Sequence, residues 1–536
     1  MKTIIKPLVF ATSAARSIFT LAVLSGTLLI LLTESAWAVP SYSRRYGVEC
    51  SRCHTMWGSL NAAGVTFRLS GYRAFFGKDL KPESEDLEIA HGSITIPTTL
   101  PLSFITGFGM DYRSQRSNGD GGTTAALNGE PLPGFPFSNN LTSVGSSLAL
   151  EDASIFMTSP MGSHFSVFFE FPMYETKSWE FTNTGKFQAN NTNVPFASRN
   201  IQFATETPTF EVGKFWWNNL FGDALPRDSV NLLFGLTHLP LAYPTGKVRL
   251  SVNQYAIYER DPLELFSPRL VDNVVGGDPN DFLFRLSEPQ VIFEVNGMLT
   301  FGKPVTDTEK RETFWAEYHV GVTNGSNSKA DWNSSKDVYG RWVMRWYNQS
   351  LGFFGYYSPN TYQDTLTTGT GSLITAPNSG IMSGLSNTNM SIRFGPDMTV
   401  SLAPFGIPVW VENVIMFNKQ SNPTEFNVPF NWFGGANQIN WQPKKTFIMY
   451  SRYDWLRGRN YNDTLANVIS PIGTVEHGIT NSTPSEWDVV FGAQYLYEQN
   501  IKFTLEGRHH YFKDTSEPLT ATLKDNGFTF RVSFGF

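Results

Sequence analysis

Phe528-Thr529-Phe530-Arg531-Val532-Ser533-Phe534-Gly535-Phe536 closes the chain. Every second residue is apolar, and the residues between are polar or glycine. Successive side chains of a strand point to opposite faces, so this stretch is predicted to be a strand with one wholly apolar face. The same period of two runs back through the chain. Phe104, Thr106, Phe108, Met110 and Tyr112 alternate with Ser103, Gly107, Gly109, Asp111 and Arg113. Val291, Phe293, Val295, Leu299 and Phe301 alternate with Glu294, Asn296 and Thr300, and Phe314, Ala316, Tyr318, Val320 and Val322 with Glu317, His319 and Thr323. Trp487, Val489, Phe491, Ala493 and Tyr495 alternate with Asp488 and Gln494, and Ile501, Phe503 and Leu505 with Lys502, Thr504, Glu506, Arg508 and His510.

A soluble sandwich shows similar alternation, but it does not place ionisable residues on the second face of so many strands. In a membrane barrel the apolar face meets lipid, the polar face lines a lumen, and aromatic girdles mark both interfaces. Composition agrees: aromatic residues make up 15% of the chain and charged residues 16%, against roughly 25% in ordinary soluble domains. The fold class predicted is all-β: a transmembrane antiparallel β-barrel of about 16 strands, within the even-numbered range of bacterial barrels. The strands begin near residues 102, 146, 164, 206, 229, 288, 312, 337, 350, 389, 408, 426, 445, 485, 500 and 527.

Connection lengths alternate. Ser159–Ser163, Lys303–Arg311, Asn348–Gln349, Gln442–Lys444 and Glu498–Asn500 are short. Ser114–Gly145, Pro172–Ala204, Pro240–Ser287, Ser358–Thr388 and Gly458–Pro484 are long and rich in Asn, Gly, Ser and Thr. Short periplasmic turns and long extracellular loops are expected to alternate in this way, so Pro240–Ser287 is predicted to be an exposed extracellular loop.

The N-terminus reads as an address. Lys2, Lys6 and Arg16 form a positive region, Ser17 to Thr33 is largely apolar, and Ala36-Trp37-Ala38 supplies small residues for a signal peptidase. Residues 1–38 are therefore read as a cleaved signal peptide with Val39 as the mature start. A retained membrane anchor is the rival reading. Removing three of the 41 basic and one of the 47 acidic residues takes the formal charge from −6 to −8. No long basic run is present, which argues against nucleic acid as a partner. No nucleophile motif, phosphate loop, dinucleotide fingerprint or calcium loop stands out either.

The two cysteines share one pentapeptide, Cys50-Ser51-Arg52-Cys53-His54. C-x-x-C-H is the covalent attachment site of a c-type haem. Two thiols spaced by three reach one porphyrin edge, and His54 follows in position to be the proximal iron ligand. The rival readings are a redox C-x-x-C and half of a zinc site. A zinc site needs more good ligands, with no cysteine left to supply them, and no βαβ context surrounds the motif. One covalent haem c is thus expected on Cys50, Cys53 and His54. Trp57, Leu60, Gly64 and Phe67 have helical spacing, Ser59 is placed to N-cap that helix, and Gly71 to stop it. A segment this small is expected to need the haem as its core.

For the sixth iron position, Met56 lies too near His54 in sequence to reach the opposite ring face. His91, the candidate distal ligand, and Met110 are next along the chain, and His91 also reads as a solvated loop histidine. The domain plan is thus 1–38 signal peptide, 39–98 a monohaem cytochrome c segment with short helices, as a lumen plug or periplasmic cap, and 99–536 the outer-membrane barrel. About 16 strands would otherwise enclose an aqueous channel.

An exported C-x-x-C-H segment fused to a barrel resembles the fused outer-membrane monohaem cytochrome c–porins, the iron oxidases of iron-oxidising bacteria. The resemblance rests on Val39-Pro40-Ser41-Tyr42, on Cys50 to Thr55, and on Leu60-Asn61, Gly64, Phe67-Arg68-Leu69 and Gly71-Tyr72. Val65 and Gly58-Ser59 depart from the family's pattern, and the barrel matches only in architecture. The resemblance implies an Fe(II) oxidase, a cytochrome oxidoreductase in the outer-membrane lipid. It would take electrons from soluble Fe(II) or a similar donor and pass them to a periplasmic electron carrier, a c-type cytochrome or a copper protein. Lumen-facing Glu294, Glu317, Asp454 and Asp488 could favour cations, or be paired with Arg341, Arg345, Arg393, Arg452, Arg508 and Arg531. Two other readings stand beside the oxidase: an outward conduit to an extracellular acceptor, and a passive porin with a structural or sensory haem.

Overall fold

Sixteen strands, each hydrogen-bonded antiparallel to its neighbours in sequence, close into a barrel in a computed structural model of the chain. They are β1 (Leu102–Gly119), β2 (Leu141–Met161), β3 (Phe165–Glu175), β4 (Val212–Trp217), β5 (Asn231–Thr237), β6 (Gln290–Phe301), β7 (Phe314–Thr323) and β8 (Asp337–Trp346). The second half comprises β9 (Gln349–Ser358), β10 (Ser391–Ser401), β11 (Val409–Gln420), β12 (Phe430–Lys444), β13 (Phe447–Gly458), β14 (Ser485–Tyr497), β15 (Ile501–Asp514) and β16 (Ala521–Gly535). The structure describes residues 41–56, 59–75, 78–79, 81, 86–89, 94–98, 101–119, 126–127, 130–131, 141–175, 212–243, 249–259, 285–301, 314–325, 334–346, 349–360, 389–421, 429–458, 469–470, 473–474, 485–497, 500–514 and 521–535. The signal peptide reading, Trp57, His91 and Phe536 lie outside them.

Closure is made by β16 on β1, running from Ala521 opposite Gly119 to Gly535 opposite Ile105. No strand edge is left open, so every ladder group can be satisfied within the wall, as a bilayer requires. The alternation sorts the side chains as expected. Phe108, Phe293, Val320, Phe491 and Leu505 are exposed outward, while Glu294, Glu317, His319, Asp488 and Glu506 are buried inward. Near the short turns, Phe165, Trp217, Phe301, Phe314, Trp346, Trp441 and Tyr495 form an outward aromatic band; Phe171, Tyr357 and Phe417 lie nearer the long connections. This is the surface of a bacterial outer-membrane barrel, with the short turns periplasmic. No described helix is long and apolar enough to cross a membrane; strands do the crossing.

Two segments fill the lumen. The first is N-terminal: α1 (Ser41–Tyr46), the cysteine turn, and α2 (Ala62–Leu69). It belongs to the same compact unit as the barrel, Pro40–Phe536. The second is the β5–β6 connection, which corrects the expectation of an exposed Pro240–Ser287 loop. Its described residues turn inward, and α3 (Ala256–Glu259) carries Ile257 and Tyr258 at 0% and 1% exposure. The apolar spacing Leu239, Leu241, Tyr255, Ile257, Tyr258 and Leu286 gives this stretch a face to bury. That face joins one apolar cluster with Tyr46, Phe67 and Tyr72 of the N-terminal segment and with Trp216, Tyr339 and Trp432 of the wall.

Candidate functional site

α2 is fixed at both ends by local chemistry. Asn61 is its N-cap, the side-chain oxygen accepting from Gly64 N at 2.9 Å. This corrects the assignment of Ser59, which sits instead in a short ladder opposite Met56. Asn61 wins because its amide also donates to the carbonyls of Ser51 and Arg52, at 3.3 and 3.2 Å, locking the helix start to the cysteine turn. At the other end, Tyr72 N donates to Phe67 O at 2.8 Å and Gly71 N to Arg68 O at 3.1 Å. Gly71 has φ +63°, so it is the left-handed stop that the sequence predicts.

Apart from half-buried Ala62 and Arg68 the helix is buried, which explains its mostly apolar surface. Val65 and Leu69 pack on Met298 and Trp315 of β6 and β7. Phe67 meets the rings of Tyr42 and Tyr46 of α1 edge-on, at 5.0 and 5.9 Å. Tyr72 stacks on Tyr42 at 4.8 Å and on Phe168 of β3 at 6.0 Å, and meets Trp216 of β4 edge-on at 5.3 Å. Such pairs contribute about 0.5–1.5 kcal/mol each beyond their buried area. The segment therefore packs its apolar side chains against the barrel wall.

Polar contacts fix the position. Ser41 N donates to Ser103 Oγ at 2.7 Å, Arg45 to Ser159 Oγ at 3.2 Å, Ser166 Oγ to Gly71 O at 2.6 Å, and Asn231 to Leu69 O at 3.2 Å. Arg44 donates to Leu102 O and Arg73 to Phe165 O. Ser103, Ser159, Phe165, Ser166 and Asn231 all lie at the short-turn ends of their strands. The N-terminal segment thus sits inside the lumen at its periplasmic mouth.

The Cys50-Ser51-Arg52-Cys53-His54 motif faces that mouth. Cys50–Arg52 make one 3₁₀ turn, closed by Cys53 N on Cys50 O at 3.2 Å. Glu49 and Ser51 are exposed, and Cys50 and Cys53 are half-buried with no disulfide between them. Gly64 makes the packing of α2 on this turn feasible: a Cβ there would lie 2.1 Å from Cys53 O. From the other side Gln442, at the β12–β13 turn, donates to Thr55 O at 2.9 Å.

Burial pushes the Cys53 thiol up to about 12, helped by Cys50. It raises Cys50 too, which leaves both protonated at neutral pH. Burial drops His54 to about 4 against a hydrogen bond to the Ser59 backbone, with the charge of Lys502 adding to the fall, so the imidazole is neutral. His54 Nδ1 is buried without a hydrogen-bond partner. The Cys50, Cys53 and His54 ligand atoms do not converge on one point, as a zinc ion would require. Protonated thiols that end as thioethers, beside a neutral imidazole with an unused nitrogen, fit a covalent haem better than a thiolate metal site. Met110 is 44% exposed on the lipid face, so it is excluded as a sixth ligand.

Each of the four lumen carboxylates named from the sequence has a cationic or imidazole partner. Arg345 holds Glu317 at 3.1 Å, Arg452 holds Asp454 at 3.0 Å, Arg508 holds Asp488 at 2.7 Å, and Arg341 holds Asp397 at 2.8 Å. Glu294 faces His319 at 2.8 Å. The roles of Asn61, Gln442 and Glu506 escaped the sequence reading, since each depends on partners distant in sequence or on a cap two residues from a plausible rival.

No protein-family profile matches the chain, and no curated protein sequence matches it. Solved outer-membrane barrels are similar in architecture. The outer membrane channel DcaP of Acinetobacter baumannii aligns over 81% of this chain and 96% of its own, with 10% identity and a TM-score of 0.39. Outer-membrane OmpT of Vibrio cholerae aligns over 84% and 100%, with 8% identity and a TM-score of 0.37. An anion-selective porin from Comamonas acidovorans aligns over 81% and 100%, with 10% identity and a TM-score of 0.38. The assignment as an outer-membrane barrel stands on this chain's own closed ladder and apolar exterior.

Proposed function

We propose that the protein is an outer-membrane electron-transfer protein, a c-type cytochrome built into a porin-like barrel, with extracellular Fe(II) as donor and a periplasmic c-type cytochrome or copper protein as acceptor. The observation that supports this most directly is the position of Cys50, Cys53 and His54 on a buttressed turn at the periplasmic mouth, where a carrier can approach Glu49 and Ser51. A bound haem c supplies a one-electron iron centre. Cys50 and Cys53 would tether it, and neutral His54 would offer the iron a lone pair. Asn61 and Gln442 hold the backbone on either side of the motif. One electron leaves Fe(II), which becomes Fe(III), and one electron passes to the carrier. The two inward segments weigh against a passive solute channel.

Stopped-flow mixing of the purified protein with Fe(II) tests the reading. Reduction should be fast in wild type and fall sharply in His54→Ala, which keeps its haem through Cys50 and Cys53. Equal rates in the two proteins contradict the oxidase reading. Faster reduction by a reduced periplasmic carrier than by Fe(II) reverses the direction of flow.

A further inference from the structure

The external half of the lumen holds a second group of ligating side chains. Glu486 and Asp488 stand at the start of β14 and His510 near the end of β15, beside the long connections. Their ligand atoms lie within 4.8 Å of one another, the one such group of three among the described residues. All three are buried, at 2%, 1% and 4% exposure. Asp488, His510 and Asp525 are consecutive cross-strand partners on one face of β14, β15 and β16.

Asp525 gives an independent pointer to a ligand. It is 5% exposed and its Oδ1 has no hydrogen-bond partner; its Oδ2 lies 3.9 Å from Arg113, and its charge also acts on Arg508. A buried carboxylate left in this state costs free energy unless another positive group completes it. Arg508 already holds Asp488 through two hydrogen bonds of 2.9 and 2.7 Å, so the carboxylates are partly neutralised and ready to share one more cation. His510 Nε2 lies 2.8 Å from Glu486 Oε1.

We propose that Glu486, Asp488 and His510, with Asp525 beside them, bind a divalent first-row metal ion in the external half of the lumen. The ion bridges Glu486 and His510 in place of their direct contact. Two carboxylates and an imidazole suit Mn(II) and Fe(II) ions. The site is not where an electron reaches the haem motif. Lys502, whose charge acts on His54, lies eight residues from His510 on the same face of β15, roughly 27 Å along the strand. Its role is to gather the ion at the outer mouth. Only the identity of that ion as Fe(II) rests on the function proposed above.

The test is titration of purified full-length protein with Mn(II), following loss of the free-ion paramagnetic resonance signal. Wild type should bind one Mn(II) at this site. Glu486→Gln with His510→Gln should weaken binding at least tenfold, and the isosteric Asp525→Asn should weaken it less, with barrel folding checked by heat-modified gel mobility. No binding by wild type, or equal binding by folded Asp525→Asn and the double variant, overturns the site. Mn(II) binding requires no haem, and haem content requires no Mn(II), so failure here is distinguishable from failure of the electron-transfer reading.

Discussion

The two ends of the lumen are built from the same strands but from different chemistry. At the periplasmic mouth the wall offers rings and backbone carbonyls: Phe168 and Trp216 receive Tyr72, and Leu102 and Phe165 accept from arginines. Toward the external side it offers carboxylates and cations, with Asp488 on Arg508 and Glu486 on His510. The lumen face of β15 spans both. The charge of Lys502 acts on His54, Glu506 holds the inward loop, and His510 joins the external cluster. An apolar, hydrogen-bonded end suits a permanently docked segment. A charged end suits something that comes and goes.

The inward loop divides the two ends, and Glu506 is its anchor. This one carboxylate accepts from Val252 N at 2.9 Å, Asn253 N at 3.3 Å, the Asn253 amide and Tyr450 Oη at 2.6 Å. Glu506→Ala should therefore have the largest effect on the contrast. Leaving several buried donors unmet costs about 4 kcal/mol, a shift of roughly a thousandfold toward a released loop. Single-channel conductance in a planar bilayer should rise while the barrel stays folded. Unchanged conductance would mean that the loop does not divide the lumen.

A smaller effect is expected at the other end. Gly64→Ala puts a methyl against Cys53 O, and relieving that overlap costs about 1–3 kcal/mol. The cysteine turn must move, so haem incorporation and the haem spectrum should both change while strand content measured by circular dichroism does not. A spectrum identical to wild type would show that α2 does not set the turn.

Much of the barrel is legible in the sequence because a lipid-facing strand writes itself in a period of two. The strand beginning at Leu102, the alternation through Phe293 and Glu294, and the closing strand at Phe528 follow from that period alone. The stop at Gly71 is legible because a left-handed residue after a helix favours glycine. What fills the lumen is not legible. The β5–β6 connection carries polar residues enough to pass for an external loop, and its inward turn is decided by Glu506 and Arg452, some two hundred residues away. The N-cap is missed because Ser59 and Asn61 are both good caps, and only the carbonyls of Ser51 and Arg52 choose between them. The cluster of Glu486, Asp488 and His510 requires the cross-strand register, which period two does not give.

The proposed electron-transfer role requires Cys50, Cys53 and His54 to carry a covalent haem inside a folded outer-membrane barrel. The direct measurement is the amount of haem c per chain in protein extracted from outer membranes and shown to be folded. The account predicts one haem per chain that survives denaturation, and none in the folded Cys50→Ala, Cys53→Ala variant. Folded wild-type barrel without covalent haem, or haem that persists through denaturation in the double variant, would contradict it.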